Sequence, residues 1–425
     1  MKERWPKIMD IINQALQLKD QDKINDAIQL LQEYQRSAGE DERIEIAQLF
    51  QDWGLMNDAI AIYEDMLLLY PEDSHIKLLL AEIYTDIGDD EKVIELMETI
   101  RPEEEAYVPA LVQLADLYQT QGLFEVSEQK LLEAKDISPN EPIIDLALAE
   151  LAFSNGEFQK AIPYYERIER MEEEVSIVNV KERLAESLSS LGNWEEALRY
   201  YEMITLDHPD QLFKYGYTAY QLERYQVAIE AWRKLLEIDQ DYTSVYPLLA
   251  TSLHEEGAVQ EAFEALEQGI QKDEFNNELY LLAAEYAVEL GNRKDAESYL
   301  KQSLSLDPGF EEAAERLLEL YEDDLDYEAA NDLLDELLSY EAYPDILLWR
   351  KAQVSIELEL FDQAKQAYEK AYPSFKEQPD FLKEYGYFMN EEGNREQSLS
   401  LLEAYLTFRP EDEEVSDFVS RLTNE

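Results

Sequence analysis

The sequence predicts an all-α chain: a right-handed superhelical α-solenoid of about twelve helix-turn-helix repeats, closed by a C-terminal capping helix. Three observations predict it. Gly54, Gly88, Gly122 and Gly156 are spaced by 34 residues, and Gly257 and Gly291 repeat the interval. An alanine stands seven residues before each of these glycines, at Ala47, Ala81, Ala115, Ala149, Ala250 and Ala284. The 425 residues include only 13 Gly and 14 Pro, so connections must be short, whereas 45% hydrophobic and 11% aromatic residues are too many for a disordered acidic chain.

Carried along the chain, the period gives units beginning near residues 8, 40, 74, 108, 142, 178, 209, 243, 277, 311, 345 and 379. One helix precedes each glycine slot and one follows it. In the unit from 74, Ile76, Leu79, Leu80, Ile83 and Tyr84 mark the apolar face of the first helix, and Val93, Ile94, Met97 and Ile100 that of the second. The glycine between them supplies the positive φ needed to leave one helix and enter the next. The eighth position is Ala or Gly in all units but the one with Leu318, and the twentieth is Ala or Ser in all but the one with Val93. Small residues there let paired helices approach, and Tyr63, Tyr165, Tyr201, Trp232 and Tyr368 fill the adjacent space, so most tyrosines are expected in the core. In five units a proline follows the glycine slot by seventeen residues, at Pro71, Pro139, Pro209, Pro308 and Pro410. At the end, Val415, Phe418, Val419 and Leu422 face the last unit, while Glu413, Glu414, Asp417 and Arg421 face water, as a capping helix over 413–425 requires.

A unit such as LFQDWGLMNDAIAIYEDMLLLYP resembles the tetratricopeptide repeat. As a whole the chain is similar to the YpiA-type acidic tetratricopeptide proteins of bacilli. The resemblance implies a solenoid whose first helices line a concave face, a bacterial cytoplasmic setting, and no assigned reaction. The domain reading is therefore 1–412 solenoid and 413–425 cap, leaving no segment for a catalytic or DNA-reading domain. The spacing breaks twice: Gly156 to Gly192 is 36 residues and Gly192 to Glu223 is 31. A bend near 170–180, beside the run Met171-Glu172-Glu173-Glu174, and another near 205–214 account for this; altered loops would do so equally.

With 96 Asp+Glu against 36 Lys+Arg the formal charge is −60, which argues against phosphate backbones and anionic lipid surfaces. There is no cysteine, hence no disulfide or thiolate site. The start, MKERWPKIMDIINQALQLKD, lacks the apolar core of a signal peptide, and the densest apolar run, Met66 to Tyr70, ends at Pro71. The expected compartment is the cytoplasm. Gly386 and Gly393, the closest glycines, are seven residues apart, too far for a phosphate-cradling loop, and no GxSxG elbow occurs. His75, His208 and His254 stand alone, with His254 expected at a solvated helix end. No enzymatic activity, cofactor or metal is expected.

In the resembling family, positions two, five, nine, twelve and thirteen of the first helices meet the ligand. Position nine here reads Glu82, Asp116, Glu150 and Glu186 in successive units, then Glu285 and Glu319; position thirteen adds Asp52, Asp86, Glu255, Glu289, Asp323, Glu357 and Glu391. Such a groove favours a Lys/Arg-rich protein or peptide, unless the acids are only a solvated face. The stretch from Asp307 to Asp345, with fifteen acids against Arg316, serves recognition or solubility. The lysine and asparagine clamp with which some relatives hold chaperone tails is missing, Lys383 alone matching it. Aromatic anchors would be Phe153, Phe213, Tyr217, Tyr220, Trp349 and Tyr387. Phe213, Tyr217 and Tyr220 form one stripe, which is ordinary core if the register shifts at the shortened unit. The expected function is a non-enzymatic interaction scaffold binding a basic partner in an acidic concave groove; a peptide or small-ligand sensor and a self-associating solenoid are the alternatives.

Overall fold

The computed structural model describes residues 5–171, 178–339 and 344–424, and the side chains within those ranges from 11 to 423. It has 25 helices and no strand among the described residues. The expected bend near 170–180 falls largely on 172–177, outside the described residues. The chain divides into two compact units, Met1–Thr205 and Leu206–Glu425.

The first unit holds six consecutive helix pairs: α1 (Trp5–Asp20) with α2 (Ile24–Gln35), α3 (Glu40–Asp52) with α4 (Met56–Leu69), α5 (Ser74–Ile87) with α6 (Asp90–Glu98), α7 (Tyr107–Thr120) with α8 (Phe124–Ile137), α9 (Pro142–Ser154) with α10 (Phe158–Arg170), and α11 (Val180–Ser190) with α12 (Trp194–Tyr201). The second holds six more: α13 (Pro209–Gln221) with α14 (Tyr225–Ile238), α15 (Val245–Glu255) with α16 (Val259–Lys272), α17 (Asn277–Glu289) with α18 (Arg293–Leu306), α19 (Glu311–Asp323) with α20 (Tyr327–Leu337), α21 (Ile346–Glu357) with α22 (Phe361–Phe375), and α23 (Pro379–Glu391) with α24 (Arg395–Phe408). A last helix, α25 (Glu413–Asn424), follows. This is the all-α solenoid that the spacing predicted.

Each pair turns on one left-handed residue. Gly54, Gly88, Gly122, Gly156, Gly192, Gly257, Gly291 and Gly393 have φ between 72° and 78°, a region that carries no steric cost only for glycine. Where the glycine is missing, Asp22, Glu223, Leu325 and Glu359 take the same slot at φ 56–58°. The amide one residue later closes the turn on the first helix, as Leu55 does on the Phe50 carbonyl and Asp89 on that of Tyr84, both at 2.8 Å.

The small-residue positions are the contact seams. Ala47, Ala59, Ala81, Ala149, Ala161, Ala250 and Ala262 are completely buried, and so are the exceptions Val93 and Leu318. Gly216 and Gly386 go further than alanine could: a Cβ there would come within 2.7 Å of Trp232 Cε2 and of Leu402 Cδ2. The aromatic filling is as expected, with Tyr63, Tyr165, Tyr201, Trp232 and Tyr368 all buried. Their environment has a feature that periodicity did not show, because many tyrosine hydroxyls donate to carboxylates: Tyr84 to Glu64 at 2.8 Å, Tyr165 to Glu150 at 2.6 Å, Tyr321 to Glu297 at 3.0 Å and Tyr405 to Asp412 at 2.7 Å. Part of the acid excess thus satisfies phenols inside the stack. On α25, Val415 is buried and Phe418, Val419 and Leu422 pack on the cluster around Phe381 and Tyr385.

Candidate partner-binding face

In each first helix the eighth position is buried, at Gly216 and Gly386 directly against the second helix of the pair. The ninth lies about 100° further round and is turned away from that seam. Ala81 is buried and Glu82 exposed; Ala115 is buried and Asp116 exposed. Glu82 and Asp116 have no ion-pair or hydrogen-bond partner among the described residues. Asp52 and Asp86, at position thirteen, are exposed too, and Asp86 accepts only a long amide bond, 3.4 Å, from Gln51. Glu82 nonetheless acts on the core: burial first, then its charge, pushes the Tyr63 hydroxyl up to about 12.

Further along the first unit the same positions are occupied. Arg183 on α11 donates through Nε to Glu150 Oε1 and through a terminal nitrogen to Glu150 Oε2, both at 3.1 Å, and reaches Glu186 Oε2 at 3.3 Å. Its guanidinium also lies 4.5 Å from the centre of the Phe153 ring, while Phe153 packs edge-on against Phe158 and Tyr165. Burial opposes the charge on Arg183, but the hydrogen bonds and charge of Glu150 outweigh it and hold its pKa above the ordinary arginine value.

The second unit repeats the arrangement. Arg316 on α19 reaches back to Glu285 Oε1 at 3.1 Å and along its own helix to Glu319 Oε2 at 3.2 Å. Arg350 on α21 grips both oxygens of Glu322 at 2.7 Å. Arg183, Arg316 and Arg350 all occupy position six of their units, a pattern the sequence reasoning missed. The signal was present, because position six precedes position nine by three residues and shares its helix face.

Beside Arg316, the first helices α15, α17 and α19 enclose a concavity of about 500 Å³. Leu282, Val288 and Leu320 supply apolar surface, and Glu255, Glu285, Glu289, Glu319 and Asp323 surround it. His254 forms a wall. It stands at the end of α15 as expected and is part-exposed, but it is also engaged: its ring stacks on Tyr286 with centroids 4.6 Å apart and planes 3° from parallel, and Nε2 lies 3.0 Å from both Glu289 oxygens. Burial first, with the charges of Glu285, Glu289 and Glu255 added and a hydrogen bond with Thr251 opposing, pushes the Tyr286 hydroxyl up to about 12.

The aromatic candidates are engaged in packing. Phe213 and Tyr217 stack at 6.3 Å, Tyr217 and Tyr220 at 6.4 Å, and Tyr220 leans on Trp232 and Tyr225. Trp349 is half-buried against Phe375 and Phe381 and donates to Glu384 at 3.2 Å; Tyr387 packs on Phe418. Lys383 is held by Asp412 at 2.8 Å. Among the described residues no three His, Asp or Glu side chains converge as metal ligands, and no helix is long and apolar enough to cross a membrane.

The tetratricopeptide repeat protein YpiA of Bacillus subtilis (strain 168) is 38% identical to this chain over 417 residues, which is 98% of this chain and 99% of that protein. The chain belongs to the YpiA family of tetratricopeptide-repeat proteins. Family models agree: the YpiA-like tetratricopeptide repeats match residues 119–173, and the YpiA-like C-terminal repeats match 346–412. General tetratricopeptide models match 54–114, 182–243 and 278–310. Among solved structures, the chain is similar to YrrB, described as a tetratricopeptide protein with an unusual peptide-binding site, at 16% identity and TM-score 0.39 over 44% of this chain and 96% of that one. It is also similar to MamA, at 18% identity and TM-score 0.37 over 39% of this chain and 92% of that one. Within the YpiA-like segment 119–173 lies Glu150, and within the YpiA-like C-terminal segment lie Trp349 and Arg350.

Proposed function

We propose that this YpiA-family chain is a protein-interaction scaffold that holds a Lys/Arg-rich partner segment on the acidic face of its first helices. The observation that carries the reading is a contrast within one chain. Glu150 and Glu186, at position nine of consecutive hairpins, hold the guanidinium of Arg183, whereas Glu82 and Asp116, at the same position two hairpins earlier, are exposed and have no such cation among the described residues. A partner's basic side chain would supply it, and charge-assisted bonds of this kind are both steering and specific.

The proposed contact face therefore begins with Asp52, Glu82, Asp86 and Asp116. In the first unit Glu150 and Glu186 belong to it as positions already neutralised in part by Arg183, and in the second unit Glu285 and Glu319, neutralised in part by Arg316, form a face of the same kind. In the second unit Phe213, Tyr217, Tyr220 and Trp349, whose rings are only partly covered, would contribute apolar contacts. Affinity capture from native lysate tests the reading. Glu82→Lys with Asp116→Lys should abolish capture of the principal partner with helical content unchanged, and raised salt should weaken capture by the unaltered chain. Capture that ignores both changes would sink the electrostatic account.

A further inference from the structure

The concavity between α15, α17 and α19 differs from the rest of the acidic face. It has an apolar surface, in which Val288 is 40% exposed, and it has an aromatic wall made by the His254–Tyr286 stack. Its volume of about 500 Å³ is that of a site able to enclose one large side chain and its neighbours. Of the surrounding acids, Glu285 and Glu319 are paired with Arg316, Glu289 with His254, and Asp323 with Arg293 at 3.6 Å. Glu255 is exposed and has no ion pair among the described residues.

From this we infer that the concavity is an anchor pocket, which seats one bulky apolar side chain of a partner segment while flanking lysines or arginines meet Glu255 and the acids beside it. The inference rests on the reading that the partner is basic, and it adds what an acidic surface alone lacks. Exposed charge pairs contribute little each, whereas enclosing an apolar side chain contributes more and demands a particular place along the segment. The occupant must carry cations because five carboxylates face the opening against Arg316, His254 and the neighbouring Arg293, which leaves Glu255 without an ion pair among the described residues. It must also carry an apolar group, because Leu282, Val288 and Leu320 offer nothing to a purely charged chain. Arg316 is then a cation of the chain itself that competes for Glu285 and Glu319. Removing it should tighten binding, although a residue needed only for structure would weaken it.

Fluorescence anisotropy with three short labelled peptides provides the test: a lysine-flanked peptide with a central leucine, the same peptide with a central alanine, and the leucine peptide with glutamates as flanks. The full chain should bind the first about tenfold more tightly than the second, and the third not at all. Val288→Asp adds negative charge while spoiling the seat. It should weaken the leucine peptide to the level of the alanine peptide; equal or tighter binding would overturn the pocket. Val288→Thr, nearly isosteric, should lower the leucine preference less, which keeps the test valid should Val288→Asp disturb the fold. Arg316→Gln should strengthen the lysine-flanked leucine peptide, and weaker binding would overturn the role given to Arg316. The two readings fail separately. A flat leucine-to-alanine ratio, with capture still lost in Glu82→Lys/Asp116→Lys, removes the pocket alone. A preserved ratio, with capture indifferent to that double change, removes the acidic-face reading of the first unit alone.

Discussion

Arg183 on α11 holds both carboxylate oxygens of Glu150 on α9, each at 3.1 Å, so that one guanidinium joins two consecutive hairpins across the candidate binding face. The pair is part-buried, and its geometry is bidentate, the form in which an arginine and a carboxylate gain most. Arg183→Gln should cost about 1 kcal/mol of stability, the size of a partly exposed charge-assisted contact. It should also remove the cation that partly neutralises Glu150 and Glu186 and so make that end of the face more negative. A lower urea midpoint together with tighter capture of a basic partner is the expected result; a lower midpoint with unchanged capture would mean that this end of the face does not take part.

Asp145 is completely buried on α9. Its Oδ1 lies 2.7 Å from Lys135 on α8 and 3.4 Å from Arg167 on α10, tying two hairpins through one acid. Lys135 approaches as an ion pair without the alignment of a hydrogen bond, and Asp145 Oδ2 has no hydrogen-bond partner among the described residues, so the arrangement is held by charge more than by satisfied bonds. Asp145→Leu strands the Lys135 ammonium and should cost about 3 kcal/mol, whereas Asp145→Leu with Lys135→Met should recover most of it. Denaturant unfolding of the two variants measures this, and no recovery in the double variant would refute it.

The fold was legible in the sequence because its signals are local and repeated. A left-handed residue is needed at every turn and a small one at every seam, so Gly88 with Ala81 predicts what Gly122 with Ala115 repeats. Contacts between hairpins were less legible. Arg183 meets Glu150 from 33 positions away, and Tyr165 meets the same carboxylate from another direction, with no short spacing to reveal either. The partners of His254 were missed for that reason: it is part-exposed at the end of α15, as its neighbours Glu255 and Glu256 suggested, but the residues it stacks on and pairs with, Tyr286 and Glu289, belong to the next hairpin. The position-six arginines could have been found by asking which residues share a helix face with position nine.

Gly216 and Gly386 show that position eight is set by what lies opposite. A methyl group at Gly216 would lie within 2.7 Å of the buried indole of Trp232, and one at Gly386 would lie 2.7 Å from Leu402. Gly216→Ala should therefore destabilise by about 1–3 kcal/mol despite alanine's better helix propensity, and Trp232→Phe in the same chain should relieve part of the cost. Thermal unfolding distinguishes the two outcomes, since a propensity-driven change would raise the midpoint.

Leu325 presents the opposite case. It holds φ 57° in a turn where most hairpins use glycine, and its side chain is 68% exposed. The left-handed conformation costs a branched residue about 1–2 kcal/mol, and glycine gives back part of that gain as unfolded-chain entropy. Leu325→Gly should thus stabilise by about 0.5–1 kcal/mol, visible as a higher urea midpoint; a lower midpoint would show that the exposed leucine makes contacts that outweigh the backbone.

Asp412 closes the second unit by accepting from Lys383 on α23, Tyr405 on α24 and the Val415 amide at the start of α25, at 2.8, 2.7 and 3.1 Å. The Lys383 contact first, then the bonds from Tyr405 and Val415, hold its carboxyl well below the ordinary aspartate value of 3.8. A carboxyl depressed in the folded state contributes stability that is fully present above its unfolded value and is lost as pH falls through the folded one. Asp412→Asn removes the charge at every pH. The unaltered chain should therefore be more stable than the variant at pH 7 and pH 5 by the same amount, and the difference should shrink only below about pH 4, where the unfolded carboxylate takes up its proton. Denaturant midpoints for the two proteins across that range measure the difference. A gap that persists undiminished under strongly acid conditions would show that Asp412 acts through its shape and neutral hydrogen bonds instead of its charge.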